Sequence, residues 1–249
     1  MIESWPSVSV LTPTYGRPAL LEEAIESFLR QDYPGRTEMV VYNTLFSQTL
    51  SCDRIRVVNS TDRPPLGTIR NRLVEQAQFD LLVNLDDDDL LRPHYLTMCV
   101  ETLLEHRLDW AQVGKMFYTR DRVIEVLNGP SGNQMIFTRA AWAKAGGYPA
   151  LDTAEDAGFH KRLIEAGCRG GVIHKPISQT GHIFGWGSHG GSALHTSEGQ
   201  VGASPLAAEQ HVLGLVASGK TPSGPIELVP KWARDYESDC EDWLNLQPL

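Results

Sequence analysis

The sequence predicts an α/β fold with a mainly parallel central sheet flanked by helices. Short runs rich in β-branched residues alternate along the chain with amphipathic stretches of ten or more residues, a pattern typical of strand–helix–strand units. The 249 residues are 41% hydrophobic and 21% charged, which suits a globular domain and excludes wholesale disorder. Helical crossover connections of this kind place neighbouring strands parallel to one another.

The first half of the chain follows this alternation closely. Ser7–Leu11 is a β-branched run, and Pro18 opens a stretch in which Leu21, Ile25 and Phe28 recur at helical spacing. The elements predicted after it are the strands Glu38–Tyr42 and Arg54–Val58, the helix Leu66–Gln78, the strand Leu81–Leu85, and a helix from Pro93 to about His106.

The second half is less regular. Alternating residues predict a strand pair and a further strand, and two helices are each closed by glycine. These elements are Ala111–Tyr118 with Arg122–Leu127, Gln134–Thr138, Ala140–Ala145 and Ala154–Ala166. The Gly/His/Ser-rich stretch GHIFGWGSHGGSALH, which begins at Gly181, predicts a mobile loop because its composition suits no packed core. A C-terminal helical extension follows, with a helix over Leu206–Ala217 and an acidic, irregular end.

Charge and cysteine content narrow the class of protein. Lys and Arg total 22 against 31 Asp and Glu, a formal charge of −9, which disfavours a nucleic-acid acceptor although a local basic patch would survive it. The four cysteines are scattered without a C-x-x-C pair, so we expect separate thiols. The first residues form no basic or apolar leader, and no apolar run approaches the roughly 18 residues of a membrane span. We therefore expect a cytoplasmic protein without a membrane span.

Three segments with unusual chemistry follow predicted strands: Thr12–Gly16, Asn43–Thr44 and Asp86–Asp89. Because ligands of open α/β sheets bind beyond the carboxyl ends of the strands, we expect these segments to meet at the functional site. Four adjacent carboxylates repel one another unless positive charge neutralises them, and Mg²⁺ or Mn²⁺ accepts such oxygen ligands together with substrate phosphates. The D-x-D spacing thus predicts a metal site, and the alternative is a solvated acidic turn before the Pro93 helix.

Three stretches carry a resemblance to a known family. SVSVLTPTYGRPALLEEAIESFLRQDYPG, GTIRNRLVEQAQFDLLVNLDDDDLLRPHYL and AGGYP followed by TAEDAGFHKRLIEAG resemble the family 2 glycosyltransferases, in this order and over about residues 7–185. The resemblance implies the Rossmann-like GT-A fold, a nucleotide-diphospho-sugar donor, a divalent metal (Mn²⁺ or Mg²⁺), a hydroxyl-bearing acceptor and inversion of the anomeric centre. It implies a GT-A domain over residues 1–200, its nucleotide-binding part at about 1–110 and its acceptor and catalytic part at about 111–200, with residues 201–249 as an extension packed on the same domain.

The resemblance assigns roles to residues at the strand ends. The nucleotide pocket would be lined by Pro13, Thr14, Tyr15 and Arg17. Arg70, in the TIRNR segment, would face the donor diphosphate or brace the nucleotide, and the alternative is an arginine on a helix surface. Asp86 would contact the donor ribose or the metal, and Asp88 would bind the metal. Asp87, on the donor side, and Asp89 are secondary candidates, and the register of the run stays open by one residue.

One departure from the family concerns the nucleotide base. After the second strand the family commonly has two acidic residues that help to hold the base, whereas this chain has Tyr42-Asn43-Thr44. The Asn43 amide offers both a donor and an acceptor to a base edge, and Asp53 is another acidic candidate farther along the loop. The identity of the base therefore stays open.

Further candidates lie in the second half of the chain. Glu155 and Asp156 head a predicted helix where the family has a catalytic Glu-Asp pair, so the resemblance implies that Asp156 is the general base for the acceptor hydroxyl. Capping of this helix by Thr153 is the structural alternative. Among the loop histidines, His182 is the candidate that completes the metal shell. Trp186 is a candidate either to stack on a sugar ring or to pack when the loop closes.

Three other functions compete with this one. A sugar nucleotidyltransferase would need a Gly-rich loop bearing Arg and Lys after the first strand, where this chain has TPTYG. A phosphatase with an aspartate nucleophile would have its Asp-x-Asp motif on the first strand, with Thr or Val where Leu90 stands. A nucleotide-sugar binding module without turnover would keep the pocket, and the Glu155-Asp156 pair counts against it. The acceptor class and a homo-oligomeric state stay open.

Overall fold

The structure, a computed structural model, describes residues 4–45, 47–120, 123–129, 134–185 and 224–246, together with residues 210, 213–214 and 216–219. Its strands are β1 (Val8–Thr14), β2 (Thr37–Asn43), β3 (Gln48–Thr49), β4 (Ile55–Asn59), β5 (Leu81–Asn84), β6 (Leu90–Leu91), β7 (Trp110–Val113), β8 (Lys115–Arg120), β9 (Val123–Asn128), β10 (Met135–Thr138), β11 (Gly170–Ile173), β12 (His182–Phe184) and β13 (Ile226–Glu227). Its helices are α1 (Pro18–Leu29), α2 (Leu66–Gln76), α3 (Tyr95–His106), α4 (Arg139–Ala145), α5 (Glu155–Glu165) and α6 (Tyr236–Asn245).

The central sheet has seven strands in the order β11-β7-β10-β5-β1-β2-β4. Its described pairs are parallel except those of β10, which runs antiparallel to β5 and β7. In the register, Thr14 lies opposite Asn43 of β2, and Leu11 lies opposite Asn84 of β5. The carboxyl ends of β1, β2 and β5 therefore meet at one edge, and the predicted mainly parallel α/β fold is confirmed.

Helices cover both faces of this sheet. Val8 and Val10 of β1 pack with residues of α1 and α3 in one apolar cluster, whereas Leu11 packs with residues of α2 and α5 in another. Strand β1 is buried along its whole length, and its Ser9 hydroxyl is satisfied by the Glu38 carboxylate at 2.6 Å. The sheet thus carries a helical layer on each face, and its carboxyl edge lies between the two layers.

The predicted strand Ala111–Tyr118 is in fact two strands. Strand β7 joins the central sheet, whereas β8 pairs with β9 and β12 in a second sheet of order β6-β12-β8-β9. The break falls at Gly114, whose amide donates to the Ile173 carbonyl at 3.0 Å, and where a Cβ would lie 2.7 Å from Val172 Cγ1. The apolar pattern continues across this break, so the sequence alone does not reveal it.

The beginning of the predicted Gly/His-rich loop is also a strand. His182–Phe184 forms β12 between β6 and β8, and its first two residues are buried. The expectation of a loop from Gly181 is therefore wrong for these residues, because backbone pairing with Leu90 and Leu91 overrides the local composition. Residues 186–200, with the rest of the predicted loop, lie outside the described residues.

The described C-terminal part packs on the rest of the chain through α6. Arg92, buried just after β6, donates to Glu237 and Glu241 of this helix at 3.1 and 2.7 Å. At the start of α6, the Tyr236 hydroxyl donates to the buried Glu23 carboxylate of α1. In the predicted helix over 206–217, the described residues 210, 213–214 and 216–217 are helical. The division of the chain at residue 200 stays a prediction.

The structure also bears on the cysteines and on membrane-spanning helices. The four cysteines form no disulfide, as expected. Burial raises the pKa of the Cys99 and Cys240 thiols to about 12, which makes both thiols poor nucleophiles. Among the described residues, no helix combines the length and the apolar character that crossing a bilayer requires.

We expect Gly170→Ala to destabilise the fold and the neighbouring change Gly171→Ala to leave it within about 0.5 kcal/mol of the wild type. A Cβ at Gly170 would lie 1.7 Å from the Trp110 ring, whereas one at Gly171 would meet only Leu108, at 3.4 Å. Overpacking of this kind costs about 1–3 kcal/mol, which urea denaturation measures as a lower free energy of unfolding. Equal stability of the two variants would contradict the packing of Trp110 on this strand.

Candidate active site

The three segments that were predicted to converge meet at the carboxyl edge of the sheet. Thr14, the last residue of β1, donates from its hydroxyl to Asp87 Oδ2 at 2.7 Å, and its carbonyl accepts from the Thr44 amide at 3.4 Å. Asp86–Asp89 forms a turn after β5 in which the Asp89 amide donates to the Asp86 carbonyl at 3.2 Å. The predicted convergence is confirmed, and the site is built on strand ends from distant parts of the chain.

The acidic run alternates between accessible and enclosed carboxylates. The side chains of Asp87 and Asp89 are 0% and 2% exposed. Those of Asp86 and Asp88 are 25% and 8% exposed. Asp86 and Asp88 are therefore the more accessible pair of the run, at the D-x-D spacing.

Arg17 neutralises the middle of the run. From the N-cap position of α1, its guanidinium contacts both oxygens of Asp87 and donates from Nη1 to Asp88 Oδ2 at 2.8 Å. Desolvation raises the pKa of Asp87 to about 6, although Arg17 opposes this rise. Desolvation alone would lower the pKa of Arg17, but Asp87 and Asp88 raise it above its usual range, so Arg17 stays charged. The structure thus places Arg17, expected to line the nucleotide pocket, directly on the carboxylates.

Asp89 and His182 form an enclosed pair behind the turn. His182 Nε2 lies 3.2 Å from Asp89 Oδ2, and Asp89 Oδ1 accepts from the Gly185 amide at 3.1 Å. Both side chains are 2% exposed, and His182 Nδ1 is buried without a hydrogen-bond partner in the described part of the chain. A metal contact through His182 Nε2 would replace its hydrogen bond to Asp89.

Arg70 links the acidic run to helix α5. Its Nε donates to Glu155 Oε1 at 2.9 Å, and its Nη2 donates to Asp86 Oδ1 at 3.1 Å. The Arg70 side chain is 4% exposed, so the alternative of an arginine on a helix surface is wrong. Its Nη1 is buried without a hydrogen-bond partner among the described residues. Desolvation raises the pKa of Asp86 to about 7, Arg70 opposes this rise, and Asp88 and the other carboxylates of the run add to it.

Helix α5 begins at Glu155 without a side-chain cap. The N-cap residue is Ala154, which lies in the left-handed region at φ 58°, an uncommon conformation for a residue with a side chain. The expectation that Thr153 caps the helix is therefore wrong. Glu155 is buried in its salt bridge, whereas Asp156 is half-buried, and its Oδ1 accepts from the Ala157 amide at 2.7 Å. The two adjacent carboxylates thus differ in their access to solvent.

Pro13, Thr14 and Tyr15, which were expected to line the nucleotide pocket, differ in burial. Pro13 and Thr14 are buried within β1, where the Thr14 hydroxyl serves Asp87. Tyr15 is half-buried, and the Arg63 guanidinium lies over its ring at 3.9 Å from the centroid. Tyr15 is thus less buried than Pro13 and Thr14, and Arg63 is a neighbour that the sequence did not indicate.

Asn43 is engaged by its own chain. It is 1% exposed, its Nδ2 donates to Asn59 Oδ1 at 2.8 Å, and its Oδ1 accepts from the Leu45 amide at 3.4 Å. Because Asn43 is buried, its amide offers little surface to a base edge. Trp186, the candidate for stacking on the sugar, lies outside the described residues.

Asp53 lies away from this site. It precedes the first residue of β4, which runs parallel to β2, and so it lies at the amino edge of the sheet. There it lines a groove of about 540 Å³ together with Arg54 and Arg56. Asp53 is therefore excluded as an acidic residue that holds the base beside Asn43.

The donor set fits a divalent cation that arrives with a diphosphate. Among the described residues, no three His, Cys, Asp or Glu side chains are grouped to hold a metal by themselves, so Asp86, Asp88 and His182 do not form a preformed triad. Mg²⁺ commonly uses one or two carboxylates, with phosphates and water as its other ligands. Among the described residues, Asp86, Asp87, Asp88 and Glu155 form their salt bridges with two guanidinium groups, those of Arg17 and Arg70, and Asp89 pairs with His182. In this part of the chain the carboxylates outnumber the guanidinium groups that pair with them, which suits a cation.

Sequence reasoning missed the residues that support the site from behind. The buried Tyr148 accepts from Asn84 Nδ2 at 2.9 Å through its hydroxyl, and its ring centroid lies 4.1 Å from that of Phe159. The backbone amide and carbonyl of Tyr148 are both bound by Asn71. The available signal was the Gly146-Gly147 turn before Tyr148, whose left-handed φ values of 74° and 70° favour glycine.

The fold defines the class of the protein: its mainly parallel α/β sheet is that of the GT-A glycosyltransferases whose structures it resembles. The chain belongs to glycosyl transferase family 2. The pattern of that family, described as "Glycosyl transferase family 2", matches residues 9–166, which is more than half of the chain. The resemblance drawn from the sequence and the GT-A fold that it implied are both confirmed.

Curated relatives support the same family. The chain is 30% identical over 102 residues to the putative colanic acid biosynthesis glycosyl transferase WcaA of Escherichia coli (strain K12). It is 27% identical over 125 residues to the putative teichuronic acid biosynthesis glycosyltransferase TuaG of Bacillus subtilis (strain 168). These matches cover 37% and 47% of this chain, and they span only 36% and 49% of the two relatives.

Solved structures show the same fold. S. aureus TarS 1-349 in complex with UDP-GlcNAc matches with a TM-score of 0.59 and 20% identity, over 71% of this chain and 58% of that chain. The mannosyltransferase PcManGT from Pyrobaculum calidifontis, in complex with GDP-Man and Mn²⁺, matches with a TM-score of 0.59 and 20% identity, over 76% of this chain and 60% of that chain.

We expect Arg17→Gln to lower the free energy of unfolding by about 3–5 kcal/mol, because it leaves the enclosed Asp87 carboxylate without its charge partner. The double variant Arg17→Gln/Asp87→Asn should regain part of this loss, with a coupling energy of about 1–3 kcal/mol between the two positions. Urea denaturation of the two single variants and the double variant measures this cycle. Additive effects of the two substitutions would contradict the pairing of these side chains.

Proposed function

We propose that this protein transfers a sugar from a nucleotide-diphospho-sugar to an acceptor hydroxyl, with a divalent cation at the acidic turn and inversion at the anomeric carbon. The observation that carries the proposal is the salt-bridged chain Asp86–Arg70–Glu155, which joins the accessible end of the acidic run to the start of α5. Membership of glycosyl transferase family 2 supports the reaction class. The UDP-GlcNAc complex of TarS and the GDP-Man and Mn²⁺ complex of PcManGT, two proteins of this fold, support the donor class and the metal.

Asp86 and Asp88 would hold the cation, since they are the accessible pair of the run and the diphosphate supplies further oxygens. When bound there, the cation supplies positive charge that stabilises the departing nucleoside diphosphate. We leave His182 out of this ligand set because its Nε2 is paired with Asp89 in an enclosed position. Arg17 and Arg70 favour the ionised form of the turn, which is the form that binds a cation.

Asp156 is the general base of the proposed reaction. Its carboxylate takes the proton of the acceptor hydroxyl while the acceptor oxygen bonds to the anomeric carbon. The bond from that carbon to the diphosphate breaks on the opposite face, and the product therefore has the inverted configuration. Asp156 suits this role because it is half-buried at the start of α5, whereas the adjacent Glu155 is buried in a salt bridge with Arg70. Glu155 would hold the helix in place for this step.

Asp88→Ala should abolish the Mn²⁺-dependent part of nucleotide binding, because it removes one of the two carboxylates assigned to the cation. Thermal-shift titrations with UDP and with GDP, each with and without Mn²⁺, measure this as a rise in melting temperature by mass action.

The matched control for this prediction is Asp80→Ala, because the Asp80 side chain is 93% exposed and pairs with Arg139 outside the site. The control should keep the Mn²⁺-dependent shift of the wild type. A shift of wild-type size in Asp88→Ala would remove Asp88 from the metal site.

Asp156→Asn should leave nucleotide binding intact and lower sugar transfer by about 10²–10⁴-fold, since the amide cannot accept the hydroxyl proton. Binding is measured by calorimetry with Mn²⁺, and transfer is measured by release of the nucleoside diphosphate. Glu165→Gln is the control on the same helix, because Glu165 is exposed and pairs only with Lys161 among its described contacts.

Three outcomes would overturn parts of this proposal. Wild-type turnover in Asp156→Asn would assign the base elsewhere, and retention of the anomeric configuration, followed by NMR of the product, would reject direct displacement. A wild-type protein that binds a nucleotide sugar with Mn²⁺ but neither transfers nor hydrolyses it would be a binding module.

A further inference from the structure

We infer that Arg70 and Asn71 form a two-residue tether that sets the separation between the acidic turn and helix α5, and thereby positions Asp156. The inference rests on the proposed function, which gives Asp86 and Asp156 their roles. In this inference Arg70 is a positioning residue. Asn71, to which the family resemblance assigned no role, is a second positioning residue.

The Arg70 arm of the tether acts through charge. One planar guanidinium donates from Nε to Glu155 and from Nη2 to Asp86, at 2.9 and 3.1 Å. Because the donors of a guanidinium have a rigid geometry, the positions of the two carboxylates are fixed relative to each other. The Arg70 and Glu155 side chains are 4% and 5% exposed, so solvent and salt screen the ion pair between them little.

The Asn71 arm acts through hydrogen bonds to the segment that precedes α5. Asn71 Oδ1 accepts from Trp142 Nε1 at 2.9 Å and from the Tyr148 amide at 2.8 Å, and its Nδ2 donates to the Tyr148 carbonyl at 2.9 Å. A Cβ at Gly147 would lie 2.6 Å from Asn71 Oδ1, so the chain approaches this closely only because a glycine is present. The amide thus holds three groups of one segment at once.

Tyr148, which Asn71 holds, in turn contacts both α5 and the end of β5. Its ring packs on Phe159 of α5 with centroids 4.1 Å apart, and its hydroxyl accepts from Asn84 at the end of β5. At the first turn of α2, a Cβ on Gly67 would lie 1.8 Å from the Pro149 carbonyl oxygen and 3.2 Å from Glu155 Cβ. Helix α2 and the chain from Tyr148 to Glu155 are therefore in direct backbone contact.

Arg70 and Asn71 are adjacent on α2, so a single turn of this helix carries both arms of the tether. Consecutive residues of an α-helix point about 100° apart, so Arg70 reaches the acidic turn and Glu155 while Asn71 reaches Trp142 and Tyr148. A shift of α2 moves both arms together. The same helix thus holds the acidic turn and the start of α5. Asp86 of the turn and Asp156 of α5 are 70 residues apart in sequence.

The test compares Asn71→Ala and Arg70→Lys with the wild type and with Arg139→Lys. Arg139 is the control because it binds three carbonyls at and beyond the other end of α2, those of Val74, Ala77 and Phe79. Asn71→Ala should lower kcat about tenfold or more while the Kd for UDP or GDP with Mn²⁺ changes less than about threefold, since Asn71 binds Trp142 and Tyr148 and none of the aspartates of the acidic turn. Arg70→Lys should lower kcat and weaken binding, and Arg139→Lys should change neither quantity.

Wild-type kcat in Asn71→Ala would overturn the tether, and so would a fall in kcat accompanied by a rise in Kd of similar size in that variant. Hydrogen–deuterium exchange separates the tether from the proposed function, because it requires no activity. In Arg70→Lys, the Asp89 amide of the acidic turn and the Gly158 amide of α5 should both exchange at least about tenfold faster. If the wild type transfers no sugar, the proposed function fails, and exchange still decides the tether: loss of protection at only one of these amides would overturn it.

Discussion

Neutralising four adjacent aspartates in a partly enclosed turn is the constraint on which the rest of the site depends. Like charges at this spacing are unfavourable without cations, and desolvation adds to the cost. Arg17 and Arg70 meet the demand from α1 and α2, which pack on opposite faces of the central sheet. Arginine suits the task because it keeps its charge when buried and offers several donors in a fixed geometry. The acidic turn is therefore stable only where both helical layers are in place, so the fold and the site depend on each other.

Neighbouring carboxylates in this site differ in their exposure to solvent. Asp86 and Asp88 are accessible while their neighbours are enclosed, and Glu155 is buried in a salt bridge beside the half-buried Asp156. The enclosed member of each set holds the structure together, and the more exposed member is the one to which the proposed function assigns a ligand. Successive side chains of a turn or helix point in different directions, which makes this division possible without any additional segment of chain. It also explains why a motif recognised as a string of like residues does not by itself assign a role to each of them.

Much of the fold could be predicted because the sequence patterns that specify its helices and strands lie within short segments of the chain. The helical spacing after Pro18 predicted α1, and the convergence of three strand ends followed from parallel topology alone. What the sequence could not show depends on partners that are far apart along the chain. Arg17 and Asp87 are 70 residues apart, and Asn71 and Tyr148 are 77 residues apart. The same holds for β12, which strand pairing imposes on a glycine-rich stretch.

The contact between Arg92 and α6 has a consequence for how this sequence can diverge. Arg92 is buried beside the active-site turn, and the two carboxylates that compensate its charge, those of Glu237 and Glu241, lie 145 and 149 positions later. A neutral residue at position 92 would leave two acidic groups without their cation, and loss of either glutamate would weaken the compensation of an enclosed guanidinium. Homologues that lack Arg92 should therefore also have replaced these glutamates, so that strand β6 and helix α6 change in concert.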